Sequence, residues 1–249
     1  MLYKTEGIVI KSTEYRDADK ILSIYTKNYG KITAIAKGVR KTKSKFGSSL
    51  ELLTHSIFLI YKGRNIDIIN QTEILESFFP ISKQFIKFAF AINCAEVINK
   101  LCEDRETNRD LFFLLKETLH LLKTAKEPKL LSLSFKWKVL NIIGYRPSLD
   151  RCSGCNKKME DMGGIFFRID EGVIACSECI IKDKSNYVKV SDYFIRLLRK
   201  ILVTPLSVIS KTAIHDKRIE ELGKITNIYL DYYSDSIFKT DGFLKKLAD

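Results

Sequence analysis

The sequence has few of the residues that catalytic sites and membrane spans require. Its three histidines, His55, His120 and His215, are scattered, and neither Gly-Lys pair, at 30 or at 223, has the preceding glycine of a phosphate-binding loop. No apolar run approaches the roughly 20 residues that are needed to cross a bilayer. We therefore predict a protein that is not an enzyme and has no transmembrane segment.

The chain also shows no secretory leader, because no charged, then apolar, then small-residue stretch follows Met1. We therefore expect a cytoplasmic protein, in a compartment where disulfides are rare. We find no internal repeat and no low-complexity tract. With 249 residues, 45% of them hydrophobic, the chain can form one large domain or two to three small ones.

Positive charge, by contrast, is abundant. Lys and Arg number 42 against 30 Asp and Glu, which gives a net charge of +12. Such a surplus favours an anionic partner. Nucleic acid is the first candidate, and an acidic protein or a membrane surface is the second.

Four of the six cysteines form two matching pairs, Cys152-Ser-Gly-Cys155 and Cys176-Ser-Glu-Cys179. Each pair presents two thiolates from one tight turn, and two such turns complete the tetrahedral coordination of Zn²⁺. Two disulfides or a redox-active dithiol are weaker alternatives, and a zinc hydrolase would need an open coordination position. The spacing therefore predicts a structural zinc ion, whereas Cys94 and Cys102 are expected to be buried on a helix.

The segment around the paired cysteines has the pattern of a small structural module. Residues 165–169 alternate and residues 173–175 follow a turn, which predicts a hairpin, and Gly154 is expected to provide a positive φ in the first turn. Residues 151–190 carry 7 cations and 6 anions. A module so close to neutral is poorly suited to gripping phosphates, so we expect it to stabilise structure.

Hydrophobic periodicity divides the rest of the chain into strands and helices. Five short runs alternate as strands do, which favours a small barrel: residues 5–11, 20–26, 31–37, 55–61 and 65–75. After Pro80 the spacing becomes helical, with predicted helices starting near residues 85, 108 and 130 and again near 193 and 218. The cysteine module therefore interrupts a helical region.

The densest charge lies in the link between the third and fourth predicted strands. Five cations occur within nine residues, with no acid among them: Lys37, Arg40, Lys41, Lys43 and Lys45. Flexible cations beside a barrel suit phosphate contacts, and nearby aromatic residues, Tyr25, Tyr29 and Phe46, could stack on unpaired bases. The alternative is a solvated loop without a partner.

Several short motifs are spread over the chain. In its first part they are Gly7-Ile-Val-Ile, Glu14-Tyr-Arg-Asp-Ala-Asp19 and Ala36-Lys-Gly-Val-Arg-Lys41. Further on, Gly144-Tyr-Arg-Pro147, the two cysteine pairs and Gly163-Gly-Ile-Phe follow. In kind and order these motifs resemble the RecO family of bacterial recombination mediators, and the resemblance covers essentially the whole chain.

The resemblance implies an α+β multidomain protein. Residues 1–80 would form a five-stranded OB-fold barrel, and residues 81–249 an α-helical domain with an inserted four-cysteine zinc module at about 148–182. Lys37 and Arg40 match basic family positions, whereas Lys41, Lys43 and Lys45 are added from their charge alone.

The implied function is that of a DNA repair and homologous recombination mediator. Proteins of this family bind single- and double-stranded DNA, anneal complementary strands and, with RecR, help to load RecA onto DNA coated with single-strand-binding protein. The C-terminal tail of single-strand-binding protein is an implied partner, and the expected location is cytoplasmic and nucleoid-associated. The competing hypothesis is a zinc-ribbon transcription or translation factor that binds RNA through the barrel.

Overall fold

The structure, a computed structural model, describes residues 1–41, 44–78, 84–180, 186–214, 216–234, 238, 240, 242 and 244. The chain divides into two compact units, one of Met1–Thr124 with Phe238–Asp249 and one of Ala125–Ile237. The domain division expected after residue 80, and the limits of the module at about 148–182, remain predictions.

Five strands close into a barrel in the first unit. They are β1 (Leu2–Tyr15), β2 (Asp19–Thr26), β3 (Gly30–Ala36), β4 (Thr54–Tyr61) and β5 (Asp67–Ser77). Around the barrel they are ordered β1, β2, β3, β5, β4, and only β3 and β5 pair in parallel. Closure removes the free edges of the sheet. The prediction of a five-stranded OB-like barrel is confirmed.

The barrel core depends on the alternation of side chains along each strand. Val9, Ile24 and Phe58 point inward and are fully buried. Gly7 is needed where β1 crosses this core, because a Cβ there would lie 2.7 Å from Cγ2 of Ile24. Beyond the register shift after Val9, residues 11–15 of β1 are all exposed, so the end of the β1–β2 hairpin extends past the core.

Two helices follow the barrel in the first unit, α1 (Phe85–Leu101) and α2 (Arg109–Leu122). Asn108 caps α2, because its Oδ1 accepts a 3.0 Å hydrogen bond from the backbone N–H of Leu111. Cys94 on α1 and Cys102 at its end are buried, which confirms their expected role. None of the helices in the described residues is long and apolar enough to cross a membrane.

A charged cluster around Glu6 joins the barrel to α2. Its carboxylate lies 2.8 Å from Nε2 of His55, 3.1 Å from Nζ of Lys27 and 3.3 Å from Nζ of Lys116. Although burial opposes ionisation, hydrogen bonds from Lys27 and His55 hold the pKa of Glu6 below its ordinary value. Burial, reinforced by Lys116, lowers the pKa of His55.

Neither of the two histidines that the structure describes, His55 and His120, belongs to a cluster of titratable side chains with another histidine. His55 is only 2% exposed, a satisfied core residue. His120 is an exposed residue beside Glu76, and His215 lies outside the described residues.

The second unit combines helices with a small sheet. The helices are α3 (Pro128–Ile142), α4 (Asp192–Val203), α5 (Leu206–Ile209) and α6 (Asp216–Ser234). The strands are β6 (Ser148–Cys152), β7 (Ile165–Arg168), β8 (Val173–Cys176) and β9 (Tyr187–Val190), ordered β6, β8, β7, β9. The predicted hairpin is the antiparallel β7–β8 pair.

Aromatic side chains pack this sheet against the helices. The rings of Trp137 on α3, Phe167 on β7 and Tyr229 on α6 are buried, with centroids 5.0 to 6.4 Å apart. Nε1 of Trp137 also donates a 2.8 Å hydrogen bond to Oγ1 of Thr226 on α6. The cysteine-bearing strands are thus part of the helical unit's core, and the predicted fold class is confirmed.

Candidate metal centre and nucleic-acid interface

The four paired cysteines converge because of how their strands are arranged. Cys152 ends β6 and Cys176 ends β8, and these neighbouring strands run parallel, so their carboxyl ends meet. Cys155 and Cys179 then follow in tight turns, in which the N–H of Cys179 donates to the carbonyl of Cys176 at 3.0 Å. The sheet thus brings together residues 21 or more positions apart in sequence.

The spacing of the sulfur atoms fits tetrahedral metal coordination. Sγ of Cys176 lies 3.8 Å from Sγ of Cys152 and 3.7 Å from Sγ of Cys155, and all four sulfurs lie within 4.8 Å of one another. A tetrahedron with metal–sulfur bonds of about 2.3 Å has edges of about 3.8 Å. Disulfide sulfurs are about 2.05 Å apart, and these four thiols are free. The cluster is therefore arranged to hold a structural metal ion.

Ionisation is unevenly distributed over the cluster. Burial opposes ionisation of Cys152, but the N–H groups of Cys155, Cys176 and Gly154 donate to its sulfur and lower its thiol pKa to about 6. Hydrogen bonds with the sulfurs of Cys176 and Cys155 raise the pKa of Cys179 to about 12. The thiolate of Cys152 thus forms readily, and a bound cation is needed to favour deprotonation of Cys179.

The expected reason for glycine at position 154 is wrong. Gly154 does not have a positive φ; in this turn the positive φ of 60° belongs to Asn156. Glycine is required by close approach instead, because a Cβ at position 154 would lie 2.8 Å from Cβ and 2.9 Å from Sγ of Cys179. The two cysteine turns therefore pack directly against each other.

The basic connection is defined as residues 37–45 after β3, and its first residues are held against the β1–β2 hairpin. Gly38, at φ +68°, donates its N–H to Oδ1 of Asp19 at 2.7 Å, and the N–H of Arg40 donates to the carbonyl of Ala18 at 3.0 Å. Nη2 of Arg40 also lies 3.3 Å from Oε2 of Glu14. The start of the connection is consequently an ordered turn.

Four of the five predicted cations can be placed. Lys37, Arg40, Lys41 and Lys45 are exposed, and Lys43 lies outside the described residues. Arg40 shares its charge with Glu14, and Nζ of Lys45 lies 5.2 Å from the centre of the Phe46 ring. The structure thus presents cations of the basic connection to solvent, where phosphates could reach them.

The prediction that these aromatic residues stack on unpaired bases is mostly wrong. Tyr25 is completely buried and Phe46 is 5% exposed, because both belong to the core of the first unit. Tyr29 is partly exposed, but its ring packs on Tyr3 with centroids 4.6 Å apart. Sequence reasoning missed Tyr15, an exposed aromatic residue at the end of β1; its position beside Arg16 in the hairpin turn was the available signal.

Comparison with known proteins covers both units. A family model described as the N terminal of recombination protein O matches residues 1–78, and one described as its C terminal matches residues 82–241. The DNA repair protein RecO of Bacillus mycoides (strain KBAB4) is 32% identical over 99% of this chain and 98% of its own length. DNA repair proteins RecO of Bacillus cereus (strain AH187) and Bacillus anthracis are each 31% identical over the same shares.

Proposed function

This chain belongs to the recombination protein O (RecO) family, whose role is in DNA repair and recombination, and from that premise we propose that it is a strand-annealing mediator. It binds single- and double-stranded DNA through the basic connection and anneals complementary strands. With RecR, it helps to load RecA onto DNA coated with single-strand-binding protein, without a covalent step of its own. The supporting observation is the exposure of Lys37, Arg40, Lys41 and Lys45 on the barrel, beside the ordered turn at Gly38, and Lys43 is added from the sequence.

Annealing requires two polyanions to approach while their bases stay free to pair. Cations that contact phosphates lower the repulsion between strands without reading the sequence. A barrel with such cations on a surface connection meets this requirement. The proposal therefore includes weak sequence preference, strong salt dependence and action at the nucleoid.

The proposed cofactor is a Zn²⁺ ion with a structural role. Four thiolates suit Zn²⁺, and four protein ligands leave no position for a substrate. The ion would connect the ends of β6 and β8 and so support the sheet that packs on Trp137. DNA binding is then expected to depend on the metal only through the stability of the second unit.

We further propose that the acidic, apolar tail of single-strand-binding protein docks in a groove of the second unit. The groove, of about 330 Å³, is lined by apolar residues of α3, α4 and α5, among them Leu130, Leu197 and Ile209. Arg196 and Lys200 on α4 lie among the lining residues. Apolar walls beside cations complement a peptide that carries both acids and hydrophobic side chains.

The test of the groove uses a fluorescent peptide with the sequence of that tail. Lys200→Glu should weaken binding by about tenfold or more, since it replaces an attractive charge by a repulsive one. Lys211→Glu, a matched exposed lysine after α5, is the control. Equal affinities for the two variants would argue against this location.

The function itself is tested by annealing complementary strands with and without single-strand-binding protein and RecR. We expect the chain to accelerate annealing of bare strands, and RecR to be required for RecA loading on coated DNA. Affinities for DNA and RNA of equal length are measured in parallel. RNA binding without annealing would instead support the zinc-ribbon RNA-binding hypothesis.

A further inference from the structure

We propose that Tyr15, at the end of β1, is a stacking site for an unpaired nucleobase beside the phosphate contacts of the basic connection. This inference rests on the proposed function and extends it, since it assigns a base contact in addition to contacts with the backbone. The site is formed by the end of the β1–β2 hairpin, where Tyr15 and Arg16 lead into the turn.

Tyr15 has the exposure that a stacking platform needs. Its side chain is 37% exposed, and it ends a run of five exposed residues that takes no part in the barrel core. The guanidinium of Arg16 lies 5.1 Å from the centre of its ring. Arg16 itself has a φ of +52°, an uncommon conformation for a residue other than glycine. The turn thus holds a cation against an accessible aromatic ring.

The position of Tyr15 relative to the basic connection follows from strand pairing. Tyr15 lies directly opposite Asp19 in the antiparallel β1–β2 pair, so their side chains share one face. Asp19 uses that face to accept the 2.7 Å hydrogen bond from Gly38 at the start of the connection. Glu14, which precedes Tyr15 and so lies on the opposite face of the strand, contacts Arg40 at 3.3 Å. The hairpin end is therefore tied to the start of the basic connection on both faces, and the Tyr15 face is the one that holds Gly38.

This arrangement suits single-stranded nucleic acid. An aromatic ring can stack on any base, because every base has a π-face, whereas cations nearby contact the phosphates. Arg16 can do both, since its planar guanidinium stacks on rings and donates to phosphate oxygens. Bases inside a duplex are already stacked on their neighbours. Tyr15 should therefore favour single strands, and the cations of the connection should bind either form.

The test distinguishes contacts with bases from contacts with phosphates. Binding of the complete chain to a thymidine oligonucleotide is compared with binding to an abasic oligonucleotide of equal length, by fluorescence anisotropy. Tyr15→Ala should weaken thymidine binding by about five- to 100-fold and change abasic binding by less than about twofold. Tyr15→Phe should retain wild-type binding because the ring is kept. Tyr232→Ala, which removes an exposed tyrosine from α6, is the matched control.

The outcomes also distinguish this inference from the proposed function. Equal losses for both oligonucleotides, or wild-type affinity of Tyr15→Ala for both, would overturn the stacking role while leaving the basic connection as the DNA site. A wild-type chain that binds neither oligonucleotide would overturn the proposed function as well. Thermal melting of each variant should match the wild type, since the ring is outside the core.

Discussion

Replacing Lys37, Lys41 and Lys45 with glutamine should flatten the salt dependence of single-strand binding. These three lysines are exposed and have no ion pair with any other residue that the structure describes, whereas Arg40 is paired with Glu14. Their charges are therefore available to displace counterions from phosphates. Each phosphate contact on a single strand contributes about −0.7 to the slope of log K against log salt.

The magnitude follows from the number of contacts. If each lysine contacts one phosphate, the slope of the triple variant should be smaller by about 2. A roughly fourfold rise in salt should then cost the wild type roughly 20-fold more affinity than it costs the variant. The assay is the dissociation constant for a thymidine oligonucleotide, measured by anisotropy over a series of salt concentrations.

The control removes the same charge from other exposed lysines. Glutamine at Lys126, Lys189 and Lys224, all in the second unit, changes the net charge equally. The control should keep the wild-type slope to within about 0.5. If the two triple variants have the same slope, long-range net charge rather than the basic connection governs binding, and the reasoning fails.

Three further predictions concern the metal cluster and the stability of the fold. Gly154→Ala should weaken metal affinity by about tenfold or more in a chelator titration, because the added Cβ would clash with the second cysteine turn. Gly163→Ala, where the added Cβ meets open space, should keep the wild-type affinity, and equal affinities for the two variants would contradict this packing. Cys152→Ser should lower the melting temperature by roughly 6–12 °C, from a loss of about 3 kcal/mol, and leave DNA binding intact below the transition; lost binding with unchanged melting would contradict a structural metal. Folding lowers the pKa of His55 and of Glu6, so on acidification the unfolded chain binds more protons than the folded chain. The free energy of unfolding should therefore fall, first below about pH 6.5 because of His55 and then below about pH 4.5 because of Glu6. His55→Gln should make the free energy of unfolding, measured with urea, fall less between pH 6.5 and 5, by up to about 1.4 kcal/mol per pH unit. An unchanged pH dependence would exclude His55 as the cause.

Features that depend on local pattern could be predicted from the sequence. The five strands follow from alternation, the start of α2 near residue 108 from helical spacing, and the metal cluster from two short cysteine turns. Each needs only a few neighbouring residues to specify it. Local periodicity carries no information on which strands pair. The order of the strands around the barrel could therefore be expected only from the family resemblance, with which it is consistent.

The errors arose where tertiary packing decides the environment. Tyr25 and Phe46 lie near the basic residues in sequence, but Phe46 packs into the barrel core, and Tyr25 is buried with its hydroxyl group 3.4 Å from the carbonyl oxygen of Asn108. Tyr15 was missed because its exposure depends on how far β1 extends beyond the core. Gly154 was assigned a backbone role, whereas the contact that requires it comes from Cys179, 25 residues further along. None of these contacts is visible in a local sequence pattern.

The central claim is that the protein binds and anneals DNA through the basic connection of the barrel. The rate of strand annealing tests this claim most directly. The wild type, the variant with glutamine at Lys37, Lys41 and Lys45, and the matched control with glutamine at Lys126, Lys189 and Lys224 are compared at equal folded concentration and moderate salt. We predict a loss of about tenfold or more for the first variant and a near wild-type rate for the control. Equal annealing rates for all three proteins would contradict the account.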